Sequence, residues 1–292
     1  MSLRSTCAVF LLLGVVCGTY RQGLSQVLGR GAPKWFPLTA AEEVRLDKIL
    51  RFWEFTTDNT KRYRCQFGRW EYDPIGLKTY SKGTIKYAAP DKGLFKVDKI
   101  QIRQPPKQPG GDPLFEEQAG GFREHWICDG KSIFEFDHNT KQLKQRQLPK
   151  DLQGKRITDG PLPFLFGATA EQIKSRFWMH ELPHQAKQGE FFLEGIPKHQ
   201  ADAANFTRIN IILDNKDFLP KGMILYHRDQ SQTTFAFEQR ETNWNIIGQQ
   251  LNPFINQFFV PIVPRGWQKV VEPIGMAPPN RKVQRNQRAQ PR

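Results

Sequence analysis

The chain lacks long hydrophobic runs and has few cysteines. Its mean hydropathy is −0.59, and its longest apolar run, near the amino terminus, is shorter than the roughly 20 residues that a membrane span needs. These two features argue against an integral membrane protein. The 292 residues contain four cysteines and no CxxC pair, which excludes the zinc sites built on that spacing.

The sequence also lacks the motifs of the common enzyme classes. It contains no GxSxG, no GxGxxG and no phosphate-binding loop, so the corresponding hydrolase, dinucleotide and nucleotide sites are not expected. Residues 227–229 (HRD) resemble a kinase catalytic loop, but Thr234 stands where that loop needs asparagine. We therefore expect a protein that is not an enzyme, with no catalytic residues and no cofactor.

One motif of catalytic type is present, HELPH at residues 180–184, which matches the HExxH signature of zinc proteases. That signature works only when one helix carries both histidines to the same metal ion. Pro183 lacks the backbone N–H that a helix needs at this position, at a cost of about 3 kcal/mol. We therefore expect no metal site, and a zinc hydrolase that uses His180, Glu181 and His184 is kept as the remote alternative.

The two ends of the chain have the composition of segments outside a folded domain. Residues 1–26 combine a basic start, an apolar run and a polar end, in the order of a secretory signal peptide. Residues 27–38 have the composition of a linker, and residues 271–292 that of a disordered basic tail. We expect a periplasmic or otherwise extracytoplasmic protein that is soluble after signal cleavage, at a site that the sequence leaves open.

Basic residues exceed acidic residues by a wide margin. The chain has 43 Lys and Arg against 29 Asp and Glu, which gives a net charge of +14 at pH 7. Such an excess suits an acidic partner, either anionic lipid or nucleic acid. Because no RNA-binding or helix-turn-helix motif accompanies it, we expect no nucleic-acid partner, and an anionic membrane surface is the candidate.

The first regular element predicted after the linker is an amphipathic helix. Thr39 and Glu42 form a capping box, in which each side chain accepts a hydrogen bond from a free backbone N–H group at a helix start. Apolar residues follow at helical spacing and predict a helix with a broad face to bury. The positions are Leu46, Ile49, Leu50 and Trp53, with Val44, Phe52 and Phe55 widening the stripe.

Most of the chain alternates in hydrophobicity with the period of β-strands. Residues 205–238 predict three successive antiparallel strands joined by polar turns. Residues 62–103 predict three more, and Asp129-Gly130 marks a further hairpin. No crossover helix separates these strands, so they form antiparallel meanders whose apolar face needs a cover.

Two local features of these strands carry specific expectations. The apolar phase of the first strand changes at Gly68, which predicts a β-bulge there. Cys65 and Cys128 could pair in an oxidising compartment or lie buried as separate thiols, and the sequence leaves both alternatives open.

The fold class that follows is α+β, with a single strongly curved antiparallel sheet, an unclosed barrel, wrapped around a few helices. The domain covers residues 39–270. Besides the first helix, the covering elements are an apolar helical turn at residues 160–167 and a short helix that begins after Thr169 and ends near Phe177.

Three segments of the chain resemble a known family. TYSKGTIKYAAPDKGLFKV, ICDGKSIFEFD and ILDNKDFLPKGMILY are similar to the lipoprotein carriers LolA and LolB and to outer-membrane lipoprotein-sorting proteins. With GPLPFLFG, DAANFTRINIILD and VPRGWQKV, the chain resembles more closely a family of secreted planctomycete proteins that have a carrier-like domain and no assigned function. The resemblance implies an unclosed barrel with an apolar cavity that shields acyl chains from water.

The expected function is that of an exported, monomeric, non-enzymatic binding protein that shields the acyl chains of a lipid or lipoprotein, as in outer-membrane lipoprotein sorting. The alternative is a structural or interaction module of the cell envelope with the same fold and a filled core. Basic side chains at the cavity rim would meet lipid phosphates. The residues expected to line the cavity are Phe67, Trp70, Tyr87, Phe95, Val97, Phe134, Phe164, Phe166, Ile211, Met223, Leu225, Phe235 and Phe237.

Overall fold

The computed structural model describes residues 31–106, 111–118, 124–150, 153, 168–243, 259 and 261–272. The predicted signal peptide, the predicted turn at residues 160–167 and most of the predicted tail lie outside these residues. The helices are α1 (Ala40–Asp58), α2 (Ala170–Arg176) and α3 (Gln200–Ala203). The strands are β1 (Arg62–Asp73), β2 (Gly76–Ala88), β3 (Lys92–Gln104), β4 (Leu114–Gln118), β5 (His125–Asp129), β6 (Ser132–Asp137), β7 (Gln142–Gln147), β8 (Phe177–Glu181), β9 (Glu190–Pro197), β10 (Arg208–Asp214), β11 (Pro220–Tyr226), β12 (Gln232–Thr242) and β13 (Gln268–Glu272).

All the described strands belong to one 13-stranded sheet. Their order is β13-β7-β6-β5-β3-β2-β1-β12-β11-β10-β9-β8, with β4 beside the second half of β3. Neighbouring strands are antiparallel except β13, which runs parallel to β7. The sheet is not closed, since β8 and β13 stand at its two ends. The predicted α+β class, with one unclosed antiparallel sheet and a few helices, is confirmed.

Two meanders meet at the pair β1–β12. The strands β1 to β7 come from the first half of the chain and β8 to β12 from the second, and Phe67 of β1 lies directly opposite Phe237 of β12. Both rings point to the side of the sheet that we call the core face. Opposite it lies the outer face.

The inner side of α1 covers the core face. Leu46, Ile49, Leu50 and Trp53 are buried in one cluster with the apolar residues of β1, β2, β3 and β8 to β12, and Leu50 is 0 % exposed. The predicted capping box is present, because the Glu42 N–H donates to Thr39 Oγ1 at 3.3 Å and the Thr39 N–H donates to Glu42 Oε2 at 2.8 Å. This main core fixes α1 on the sheet.

The predicted bulge at Gly68 is wrong. The pairing of β1 runs without a shift through Gly68, and the register shifts lie between Arg64 and Gln66 towards β12 and between Glu71 and Tyr72 towards β2. The alternation instead continues from Phe67 to the next residue of the core face, Arg69. Because arginine is not typical of a core position, the hydrophobic alternation predicts a change of phase at Gly68 that the strand does not have.

A second, smaller core lies on the outer face at the β5–β7 end of the sheet. Leu94 packs against it, whereas the next residue, Phe95, belongs to the main core, and consecutive strand residues point to opposite faces. Its buried members are Ile127, Phe134, Phe136, Leu143 and Phe259.

Cys65 and Cys128 are both buried and unpaired, so of the two alternatives the structure has separate thiols. Within the residues described, none of the helices has the length and apolar character needed to cross a membrane.

Candidate functional site

Most of the residues expected to line a cavity lie together on the core face. They contact one another directly: the ring of Phe67 stacks on that of Phe95 with 4.7 Å between centroids and lies 6.0 Å from that of Phe235. Trp126 extends the stack from Phe95 at 5.5 Å. The expected residues found in this cluster are Phe67, Tyr87, Phe95, Val97, Ile211, Met223, Leu225, Phe235 and Phe237.

The remaining expected residues lie elsewhere. Trp70 follows Arg69 in β1 and therefore points to the outer face, where its ring lies 5.0 Å from that of Tyr80. Phe134 belongs to the second core. Phe164 and Phe166 lie outside the described residues.

An open groove of about 610 Å³ lies on the outer side of α1. The described residues that line it are Val44, Asp47, Lys48, Arg51, Phe52 and Phe55. Val44 is 71 % exposed and Phe55 68 %. These apolar side chains therefore do not widen the buried stripe of α1, as the sequence led us to expect; they form a second apolar face.

The spacing along α1 explains this second face. Val44, Lys48, Phe52 and Phe55 follow one another at intervals of three or four residues, which places them on one side of a helix. The main core takes a different side of α1, through Leu50 and its neighbours. The sequence analysis assigned all apolar residues of the helix to one buried stripe and therefore did not predict the groove. The signal was present in the sequence, because a stripe that includes Val44, Phe52 and Phe55 is too wide for a single buried side of a helix.

The charge in the groove is mainly positive. Lys174 Nζ of α2 donates a hydrogen bond to Asp47 Oδ1 at 2.9 Å, in an ion pair that raises the pKa of Lys174. Lys48 and Arg51 are exposed and form no ion pair with other described residues. A lining that combines apolar side chains with two cations is suited to an amphiphile whose head group is anionic.

Aromatic contacts connect the groove to residues beyond α1. Phe52 stacks on Phe218 of the β10–β11 turn with 5.1 Å between ring centroids, and Phe218 stacks on Phe191 of β9 at 5.4 Å. Phe218 has a φ of +54°, and its N–H donates to the carbonyl oxygen of Asp214 at 2.9 Å. The turn thus presents this ring towards α1, and the strip of rings leads from the groove to the core face.

A buried ionic cluster interrupts the apolar core face. Arg69 is 1 % exposed, and its guanidinium donates to both carboxylate oxygens of Glu124 and to Ser81 Oγ. Glu71 lies 3.8 Å from Arg69 Nε and accepts a hydrogen bond from Thr79. Burial raises the pKa of the Glu124 carboxyl group, while Arg69 acts in the opposite direction. The cluster holds β1, β2 and the start of β5 together.

The HELPH motif has the geometry of a strand and a turn. His180 lies in β8, whereas His184 lies in the 3-10 turn Pro183–Gln185, so no single helix carries both. The ring of His180 stacks on Trp35 at 3.8 Å and lies 3.0 Å from Glu194 Oε1, a hydrogen bond that lowers the pKa of Glu194. Among the described residues, no three His, Cys, Asp or Glu side chains are grouped as a metal site would require.

The same region shows what residues of the predicted linker do. Trp35 and Phe36 pack on the outer face of β8, where the ring of Phe36 lies 4.2 Å from that of Trp178. The predicted linker is therefore attached to the sheet at Trp35 and Phe36.

Comparison with known proteins gives similar structures at low sequence identity. No family model matches the chain, and neither does any curated protein. An uncharacterized conserved protein from Thermus thermophilus is 10 % identical with a TM-score of 0.43, over 78 % of this chain and 99 % of the other. A LolA superfamily protein from Nitrosomonas europaea is 8 % identical with a TM-score of 0.31, over 68 % and 93 %.

A putative outer-membrane lipoprotein-sorting protein domain from Vibrio parahaemolyticus is 11 % identical with a TM-score of 0.30, over 72 % of this chain and 97 % of the other. At TM-scores below 0.5 such similarity assigns no function. The predicted resemblance to LolA-like carriers is thus found among solved structures, and the narrower resemblance to secreted planctomycete proteins stays a prediction.

Proposed function

We propose that this protein is a non-enzymatic, extracytoplasmic binding protein that shields the acyl chains of a lipid or lipoprotein from water, in the manner of outer-membrane lipoprotein sorting. The groove on the outer side of α1 is the observation that carries this proposal. The residues of the core face expected from the sequence take part as the floor that holds α1 in place.

The size and lining of the groove support an acyl ligand. Its volume of about 610 Å³ lies within the range of small-molecule sites. Each methylene group transferred from water to an apolar surface contributes about 0.8 kcal/mol, so Val44, Phe52 and Phe55 can bind a chain without polar chemistry. Lys48 and Arg51 line the same groove and can pair with an anionic head group.

The close packing of the core face supports the alternative. Rings of Phe67 and Phe95 that stack at 4.7 Å leave no room for a ligand between them. A cell-envelope structural or interaction module with a filled core would have this interior. The two functions differ in whether the exposed apolar side of α1 binds lipid.

Native mass spectrometry of protein purified without detergent tests the ligand class, because co-purifying lipid would be seen directly. Affinity is then measured with a fluorescent fatty acid. Phe55→Ala removes an exposed ring from the groove and should weaken binding about tenfold or more. The matched control is Phe115→Ala on β4, an exposed ring outside the groove, which should bind as the wild type does.

The head-group preference is tested separately with Lys48→Gln and Arg51→Gln. These variants should weaken binding of the fatty acid and leave binding of an uncharged alcohol of the same chain length unchanged. Equal affinity of the Phe55→Ala variant and the wild type would remove the groove from the proposal. Protein that neither carries nor binds lipid would leave the envelope module as the function.

A further inference from the structure

Basic side chains gather on the outer face of β1, β2 and β3. In each strand they alternate with residues that are buried in the main core, such as Cys65, Ile85 and Phe95. Side chains next to these core positions point to the other side of the sheet. The residues are Arg64, Lys82, Lys86, Lys96 and Lys99, which together we call the basic face.

The register places like charges directly opposite each other. Arg64 faces Lys86 across β1 and β2, and Lys82 faces Lys99 across β2 and β3. Lys96 lies diagonally from Lys86. Like charges in these positions destabilise a sheet, and burial together with Arg64 and Lys96 lowers the pKa of Lys86. Sheet stability alone therefore does not account for this arrangement.

Acidic residues neutralise only part of the basic face. Arg64 pairs with Glu241 at 2.6 Å and Lys96 with Asp98 at 2.9 Å. Lys82 and Lys99 are exposed and form no ion pair with other residues that the structure describes. A positive surplus therefore faces the solvent.

Aromatic side chains adjoin the basic face on the same side of the sheet. Trp70 and Tyr80 pack together at 5.0 Å, and Lys82 Nζ lies 5.8 Å from the centroid of the Tyr80 ring. Tryptophan and tyrosine beside basic residues are typical of surfaces that meet the head groups of a bilayer. This combination favours a bilayer surface over a soluble polyanion.

We propose that the basic face, with Trp70 and Tyr80, docks on the anionic surface of a lipid bilayer. The inference does not depend on the α1 groove, which lies on the other side of the sheet because α1 covers the core face. Docking in this orientation turns the groove away from the bilayer. Ligand exchange would then take place with the solution or with a partner on that side.

Vesicle flotation of the full chain tests this surface. Vesicles of phosphatidylcholine are compared with vesicles that also contain phosphatidylglycerol, at low and at raised salt. The wild type should bind only the anionic vesicles, and less at raised salt. The double variant Lys82→Gln/Lys99→Gln should weaken this binding about 25-fold, at about fivefold for each charge near the surface.

The matched control removes the same charge elsewhere. Lys187→Gln/Lys216→Gln changes two exposed lysines in turns that lie outside the basic face, and should bind as the wild type does. An equal loss of vesicle binding in both double variants would show that binding depends on net charge alone, and this would overturn the proposal. Binding to inorganic polyphosphate with none to anionic vesicles would overturn it as well. The midpoint of urea unfolding should lie at a higher urea concentration for Lys82→Gln/Lys99→Gln than for the wild type, since the repulsion between these two lysines has been removed.

Discussion

The guanidinium of Arg69 and the carboxylate of Glu124 are joined by two hydrogen bonds inside the core face of the sheet. Arg69 Nη1 lies 2.9 Å from Glu124 Oε2, and Nη2 lies 3.2 Å from Oε1. A planar guanidinium that meets a carboxylate in this way is held in both position and orientation. The pair links the start of β5 to the middle of β1, across the two strands that lie between them.

Removal of Arg69 should destabilise the protein strongly. In Arg69→Met, Glu124 and Glu71 stay in the core without their cation, and loss of one partner of a buried pair costs about 3–5 kcal/mol. Urea unfolding at pH 7 measures the change. Arg64→Met, which breaks the exposed pair with Glu241, is the control and should change the free energy of unfolding by less than about 1 kcal/mol. Equal effects of the two substitutions would contradict a structural role for the buried cluster.

Stability should fall in mild acid because of His125. Burial, with the charges of Lys96 and His138, lowers the pKa of His125 from 6.5 to about 4. Between these two values the unfolded chain binds a proton that the folded protein does not, so folding stability is full above pH 6.5 and declines as the pH falls towards 4. The loss amounts to at most about 3 kcal/mol.

His125→Gln should make this pH dependence shallower in the same window. The free energy of unfolding is measured in urea at several values from pH 7 to pH 4. His184→Gln, at an exposed position, should leave the slope as it is in the wild type. A slope that His125→Gln does not change would show that this ring is not the titrating group.

A side chain at Gly83 should be incompatible with the sheet. A Cβ atom there would lie 2.1 Å from the carbonyl oxygen of Lys96 and 2.6 Å from Cζ of Phe67. The carbonyl oxygen of Lys96 belongs to the backbone and cannot move away by a side-chain rotation. Gly83→Ala should therefore lower the free energy of unfolding by about 3 kcal/mol or more. Thermal unfolding compares it with Gly31→Ala, where nothing lies within 4 Å. An unchanged melting temperature for Gly83→Ala would mean that β2 and β3 do not approach as described.

Both cysteines of the sheet should be inert while the protein is folded. Burial raises the pKa of Cys65 to about 12 and that of Cys128 to about 11, so little thiolate exists at pH 8. Iodoacetamide should therefore modify neither residue until urea is added, as peptide mapping would record. A peptide in which Cys65 and Cys128 are joined by a disulfide would contradict this description.

The sequence predicted the elements whose signals are local. The capping box of Thr39 and Glu42 and the alternation of residues 205–238 depend on neighbours in the chain, and both were found where expected. The position of Arg69 depends instead on Glu124, which lies 55 residues away. No periodicity shows that an arginine will find such a partner, and the core face was therefore misread at Gly68.

The candidate site was predicted less well for a related reason. Periodicity identifies which residues of a helix or strand share a side, but it does not show which side another element will cover. Phe67 and Phe55 have similar apolar character, yet Phe67 is buried in the main core and Phe55 is exposed on α1. Only the packing of α1 on the sheet decides between them.

The two meanders also exchange elements with each other. α1 comes from the first half of the chain and packs against β8 and α2 of the second, while β13 comes from the end of the chain and pairs with β7 of the first. A single cut between β7 and α2 would leave two fragments, each of which lacks an element that the other holds. Neither fragment could complete its own interior, so the two should assemble only when supplied together, as a reciprocally complementing pair.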